Sequence, residues 1–237
     1  IPALYSLGKH LGGRWTGLLA ALLWVLQPYA LWHAQDARNY ALWSGLSAVG
    51  LWLGLIALRH NRFGDWLRFG LIITLAANLF YNEWFTIIGL GLYVLVVYRR
   101  DWSRVKRFFI AAMVAVATSG LSFLFLQLSL LGRGGYGGTA SGFDLARLPG
   151  LVTTLLFGRG LPPTWTAFVF TGIVLFIIAA GCLLYRHDRR SFLWLLCIGL
   201  LPIILLSVAS LRLKIFAPQY VLAVLPGQRD GVEMIAA

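Results

Sequence analysis

The chain has 237 residues, 59% of them hydrophobic and 12% charged, with a net charge of +12 and a mean hydropathy of +0.80. These values lie outside the soluble globular range and inside that of multi-spanning membrane proteins, so no soluble core is expected. The excess of base gathers in short blocks between apolar runs, which argues against a nucleic-acid partner and for membrane orientation.

A hydrocarbon core about 30 Å thick needs roughly 20 apolar residues in a helix. The opening Ile1-Pro2-Ala3-Leu4-Tyr5 is expected to be the tail of an earlier helix. Trp15–Trp32 and Tyr40–Leu58 then read as spans, with the polar island Gln35-Asp36-Ala37-Arg38-Asn39-Tyr40 between them. Gly50 and Gly54 form a small-xxx-small pair suited to helix packing in the second span. Leu67–Val97 is ambiguous. As one helix it would be about 46 Å long and would bury Glu83 near its middle; as two, it turns at Tyr81-Asn82-Glu83-Trp84 and keeps that acid near an interface. Phe108–Leu131, a glycine-rich outer loop over 132–163, Trp165–Tyr185 and Phe192–Leu211 follow. The loop has no strand before it and no Lys-Ser/Thr after it, so it does not match a phosphate-binding P-loop and reads as a lid.

Basic residues decide the ambiguous case. With a turn at Asn82, Lys9, Arg14 and the blocks Arg59/Arg62/Arg68, Arg99/Arg100/Arg104/Lys106/Arg107 and Arg186/Arg189/Arg190 fall on one side. That places 13 basic residues there, against 6 on the other side as far as Lys214. The positive-inside rule therefore favours seven spans with the Asp36 island facing outward. Tryptophans 15, 32, 43, 66, 84, 165 and 194 fall near span ends, where the indole ring suits the headgroup level. Cys182 and Cys197 lie in apolar runs without metal-ligand spacing and read as buried thiols. The fold class is an all-α polytopic transmembrane bundle. It forms a single integral-membrane domain over 1–237, expected to be truncated at the N-terminus and at the C-terminus.

Ionisable groups next to a bilayer are costly and tend to mark function. Asp36 and Arg38, two apart, cannot face each other in a regular helix, so they present their groups to different partners. Asp36 and Tyr40 would share a face. Arg212 and Lys214 break the positive-inside pattern, and a lipid phosphate or diphosphate would explain a cation there; snorkelling to headgroups is the other reading. Asn82, Glu83, Gln219 and Tyr220 are further lining candidates at outer helix mouths.

Leu4-Tyr5-Ser6-Leu7-Gly8-Lys9, Gly17–Gln27-Pro28 and then Gln35-Asp36-Ala37-Arg38-Asn39-Tyr40 resemble the ordered pattern of the GT-C glycosyltransferases. The nearest group is the bacterial branch related to protein O-mannosyltransferases and lipid A aminoarabinose transferases. Phe216-Ala217-Pro218-Gln219-Tyr220-Val221 resembles that branch's Pro-Arg-Tyr helix, with Gln219 where Arg is usual, so Arg212 or Lys214 would compensate. A second departure is Tyr81-Asn82-Glu83-Trp84, where the family often has a His-containing turn.

The resemblance implies transfer of a sugar from a polyprenyl-phosphate donor to a lipid, glycan or protein acceptor at the outer face of a bacterial plasma membrane. Arg38, Tyr40, Arg212 and Lys214 would bind the donor phosphate, and Asp36 would orient Arg38 or the acceptor. The main catalytic carboxylate is expected upstream of Ile1, which would leave this stretch inactive by itself. A divalent cation could sit between Asp36 and Glu83, although two ligands without spacing logic give it little support. No other cofactor is implied. The rival readings are a transporter or lipid flippase, which would show inverted repeats and midplane charges, and a non-catalytic membrane scaffold.

Overall fold

A computed structural model describes residues 1–27, 40–80, 82–133, 149–150, 152–153 and 162–213. Among these residues the chain is helical and has no strand. Helices α1 (Pro2–Gly12) and α2 (Arg14–Leu26) form a tight hairpin through Gly13, whose φ of 88° suits a residue without Cβ. The two cross at Gly8 and Gly17, where a Cβ on Gly17 would stand 2.5 Å from the carbonyl oxygen of Tyr5. Small residues let the backbones touch, and this contact holds helices together where lipid removes the hydrophobic drive.

Helix α3 (Tyr40–His60) packs on α1 and on α4 (Phe63–Leu79), and α5 (Glu83–Val97) follows a break at Phe80. The long apolar run is therefore two helices, and the turn is shorter than the sequence suggests. Glu83 and Trp84 already belong to the first turn of α5; Tyr81 lies outside the described residues. Gly50 and Gly54 admit Ile73, Phe69 and Leu90 against α3, as their spacing predicted.

Helix α6 (Trp102–Ala115) continues through a π turn, Val116–Gly120, into α7 (Leu121–Arg133). Thr118 and Ser119 donate to the carbonyls of Val114 and Ala115, a back-bonding pattern that loosens the α-helical ladder. Helix α8 (Pro163–His187) precedes α9 (Arg189–Leu195), a second π turn at Leu196–Leu200, and α10 (Leu201–Leu213). Leu201 N–H donates to the Leu196 carbonyl across this turn, and in that register Pro202, lacking an N–H, leaves the Cys197 carbonyl without a helical donor. The widened turn offers the Cys197 carbonyl to α5, where a Cβ on Gly89 would lie 2.2 Å from that oxygen.

Trp66, Phe69, Phe108, Leu90, Tyr93 and Trp194 fill the middle of the bundle. The outer faces carry Leu18, Leu22, Leu71, Met113, Phe168 and Phe176 uncovered, as lipid-facing positions require. Ala41–His60, Trp102–Leu130 and Thr164–His187 are long and apolar enough to cross a membrane, and Arg14–Leu26 and Glu83–Val97 are shorter apolar helices.

The basic blocks meet at one end of this bundle. Asn61, at φ 52°, closes the α3–α4 turn. Its side chain accepts from Trp66 Nε1 and donates to Ser103, while its carbonyl accepts from Arg107. Arg104 donates to the Leu58 carbonyl at 2.8 Å, pairs with Asp101 and lies over the Tyr98 ring. Ser191 at the start of α9 reaches the Leu11 carbonyl in the α1–α2 hairpin, so Lys9 and Arg14 join the same end. Asp101 caps α6 and Asp188 caps α9. The Arg104 backbone N–H holds Asp101 below the usual carboxylate range, and the Ser191 hydroxyl does the same for Asp188.

The tryptophans divide in a way the headgroup-belt expectation did not foresee. Trp15 and Trp165 are exposed at helix ends, whereas Trp43, Trp66, Trp84 and Trp194 point inward and are buried. The thiols divide too: Cys197 is buried as expected, but Cys182 is exposed on α8. A helix through lipid can bury an apolar residue in the bilayer without burying it in protein.

Candidate functional site

The end opposite the basic blocks is organised around Glu83. Helix α3 begins at Tyr40, directly after the Asp36 island, and its first two turns bring Trp43 and Ser47 onto one face by their i, i+4 spacing. Across the gap to α5, Trp43 Nε1 donates to Glu83 Oε2 at 2.6 Å and Ser47 Oγ donates to Glu83 Oε1 at 3.1 Å. Glu83 is wholly buried. Its place in the first turn of α5 adds the favourable field of the helix N-terminus to these two bonds. The sequence allowed a solvated acid at an interfacial turn; the fold instead uses this carboxylate to pin α5 to the mouth of α3.

Asn82, the N-cap of α5, is 4% exposed, and its side chain makes no capping bond. Among the described residues neither Asn82 Nδ2 nor Asn82 Oδ1 has a hydrogen-bond partner. A buried polar atom left unpaired costs about 1–3 kcal/mol, so this amide is open to a polar partner. Trp84, the next residue after Glu83, stacks on Phe123 of α7 with ring centroids 5.8 Å apart. Trp43 packs against Phe80 in the break before α5. The polar pair Asn82–Glu83 is thus walled by aromatic rings.

Helix α10 runs toward the same side of the bundle. Helix α5 and the α9–α10 segment run antiparallel, with Tyr93 against Trp194 and Gly89 against Cys197 and Pro202. Continuing that register carries the last turn of α10, which includes Arg212, toward the end that holds Glu83. The structure therefore gathers the start of α3 and the start of α5 at one mouth.

Asp36, Arg38, Lys214, Gln219 and Tyr220 lie outside the described residues, as do the side chains of Tyr40 and Arg212. The divalent-cation expectation rests on Asp36, outside the described residues, and on Glu83, each of whose oxygens accepts one hydrogen bond.

Sequence reasoning placed Asn82 and Glu83 at this mouth but missed Ser47 and took Trp43 for a headgroup anchor. The available signal was the pairing of an indole and a hydroxyl four residues apart on the helix that leaves the polar island.

The family model described as dolichyl-phosphate-mannose-protein mannosyltransferase matches residues 1–122. That segment contains the island, Trp43, Ser47, Asn82 and Glu83. No curated protein and no solved structure matches the chain.

Proposed function

Since the chain belongs to the dolichyl-phosphate-mannose-protein mannosyltransferase family, we propose that it moves a sugar from a polyprenyl-phosphate carrier to an acceptor hydroxyl at the outer face of a bacterial plasma membrane. The family is one of membrane glycosyltransferases of mannosyltransferase type. The observation that carries the reading is the coincidence of two things in residues 1–122: the family match, and a polar mouth where α3 leaves the Asp36 island beside a pinned carboxylate.

In this mechanism the acceptor hydroxyl attacks the anomeric carbon and gives up its proton to a base. The bond from that carbon to the carrier phosphate oxygen breaks, and the phosphate leaves with one more negative charge. Arg38, with Arg212 and Lys214, holds that phosphate and offsets the growing charge. Tyr40 donates to a phosphate oxygen, Asp36 fixes the Arg38 guanidinium or the acceptor, and Gln219 and Tyr220 line the donor side. The unpaired Asn82 amide, able both to donate and to accept, suits a sugar or acceptor hydroxyl. Glu83 acts as a positioning residue through Trp43 and Ser47.

The test is on Arg38 in membranes that support transfer from a polyprenyl-phosphate sugar. A guanidinium grips two phosphate oxygens in parallel, whereas an ammonium is a point charge. Arg38→Ala is expected to lower turnover about a hundredfold, corresponding to roughly 3 kcal/mol of transition-state stabilisation, and Arg38→Lys to recover only part of it. Near-normal turnover of Arg38→Ala at saturating donor, with the protein folded in the membrane, would overturn the assignment.

A further inference from the structure

At the end of the bundle opposite Glu83, Leu58, Arg59, Val97, Tyr98, Arg100, Asp101, Arg104 and Arg190 line an open cavity of about 470 Å³. They come from the end of α3, the end of α5, the start of α6 and the start of α9, so the cavity exists only in the folded bundle. Its volume lies within the roughly 300–1,000 Å³ typical of small-ligand sites.

Four arginines and one carboxylate line it, and the carboxylate is already spoken for. Asp101 pairs with Arg104, and Arg104 is further tied to the Leu58 carbonyl and lies over the Tyr98 ring. Arg104 is thus a strut of the wall. Among the described residues the guanidinium groups of Arg59, Arg100 and Arg190 form no salt bridge, and Asp188 is the carboxylate that feels the charge of Arg190. Three cations facing one concave space repel one another, and an anion seated between them would relieve that repulsion.

Leu58 and Val97 give the same cavity an apolar wall at the ends of two membrane helices. Cationic groups over an apolar floor, at the level where spans leave the bilayer, match the phosphate and first methylenes of a lipid better than a free ion. We infer that this cavity is a binding site for the phosphate headgroup of an anionic membrane phospholipid, distinct from the donor end of the molecule. The assignment does not depend on the transfer reaction.

The test titrates the purified 237-residue chain in neutral detergent with cardiolipin, with phosphatidylcholine, or with inorganic phosphate at equal phosphorus. Binding is followed by native mass spectrometry and by the midpoint of thermal unfolding. Cardiolipin is expected to bind and raise the midpoint, while phosphatidylcholine and inorganic phosphate leave it unchanged. Basic residues near a membrane surface each strengthen anionic-lipid binding about fivefold, so Arg59→Gln/Arg100→Gln/Arg190→Gln is expected to weaken cardiolipin binding about a hundredfold. The equal-charge control Arg14→Gln/Arg68→Gln/Arg186→Gln, outside the cavity, should retain it. If the triple variant does not fold, Arg100→Gln and Arg190→Gln alone are each expected to lose about fivefold. Equal losses in the cavity variants and the control would show diffuse charge attraction and overturn the site. An equal shift with inorganic phosphate would overturn the lipid assignment.

Discussion

Removing the Glu83 carboxylate should loosen the mouth of the bundle by an amount that the geometry lets us work out. Hydrogen bonds between membrane helices average ~0.6 kcal/mol and reach ~1.7 kcal/mol. The bond from Trp43 Nε1 at 2.6 Å to a buried carboxylate belongs at the strong end of that range, and the one from Ser47 at 3.1 Å nearer the mean. Glu83→Ala deletes both and leaves the Trp43 N–H buried without an acceptor, an added cost of about 1–3 kcal/mol. The sum is about 3–5 kcal/mol, or roughly 150- to 5,000-fold in the unfolding equilibrium. Glu83→Gln keeps an oxygen for Trp43 and can donate its amide to Ser47 Oγ, so it should cost under about 1 kcal/mol. Unfolding of the chain in mixed micelles by added dodecyl sulfate, followed by circular dichroism, gives the free energies. The cleaner test is a double-mutant cycle with Trp43→Phe and Glu83→Ala, each of which removes the indole–carboxylate bond. A coupling of about 1–2 kcal/mol is expected. Coupling below about 0.3 kcal/mol, or an alanine variant no less stable than the glutamine one, would refute the view that this carboxylate pins α5 to α3.

Two further outcomes follow from close contacts and caps. Gly89→Ala drives a Cβ into the backbone oxygen of Cys197, which a flexible side chain cannot relieve; a loss of about 2–3 kcal/mol in micelle unfolding is expected, whereas Gly172→Ala, with open space around it, should be neutral or slightly stabilising. Asp188 caps α9 by accepting from the Arg190 N–H and the Ser191 hydroxyl, with its pKa lowered below the ordinary 3.8. Because the folded-state pKa is the depressed one, its stabilisation is present above the unfolded pKa and disappears as pH falls through the folded one. Asp188→Ala should therefore lower stability by about 1 kcal/mol at pH 7 and by progressively less below about pH 4; a pH-independent difference in unfolding free energy would count against the cap.

The membrane class, the all-helical fold and the break before α5 were legible in the chain alone, because hydropathy and the placement of basic residues act residue by residue. A helix must be apolar to enter lipid, and Arg59, Arg100 and Arg190 must stay at one surface whatever their neighbours are. The same local logic makes Gly50 and Gly54 readable as a packing seam. What a side chain faces is a different matter. In a soluble protein an apolar residue must turn inward, but in a bilayer both lipid and protein satisfy it. Hydropathy therefore could not separate Trp15, exposed, from Trp43, Trp66, Trp84 and Trp194, buried. For the same reason Ser47 and Glu83 could not be paired before α3 and α5 were placed side by side, and Asp101 could not be set aside as the partner of Arg104 before the basic ends of α3, α5, α6 and α9 closed on one cavity. Partition into the membrane is a sum over residues. Pairing across helices depends on register and rotation about each helix axis, and only close packing at Gly8, Gly17, Gly70 and Gly89 decides those.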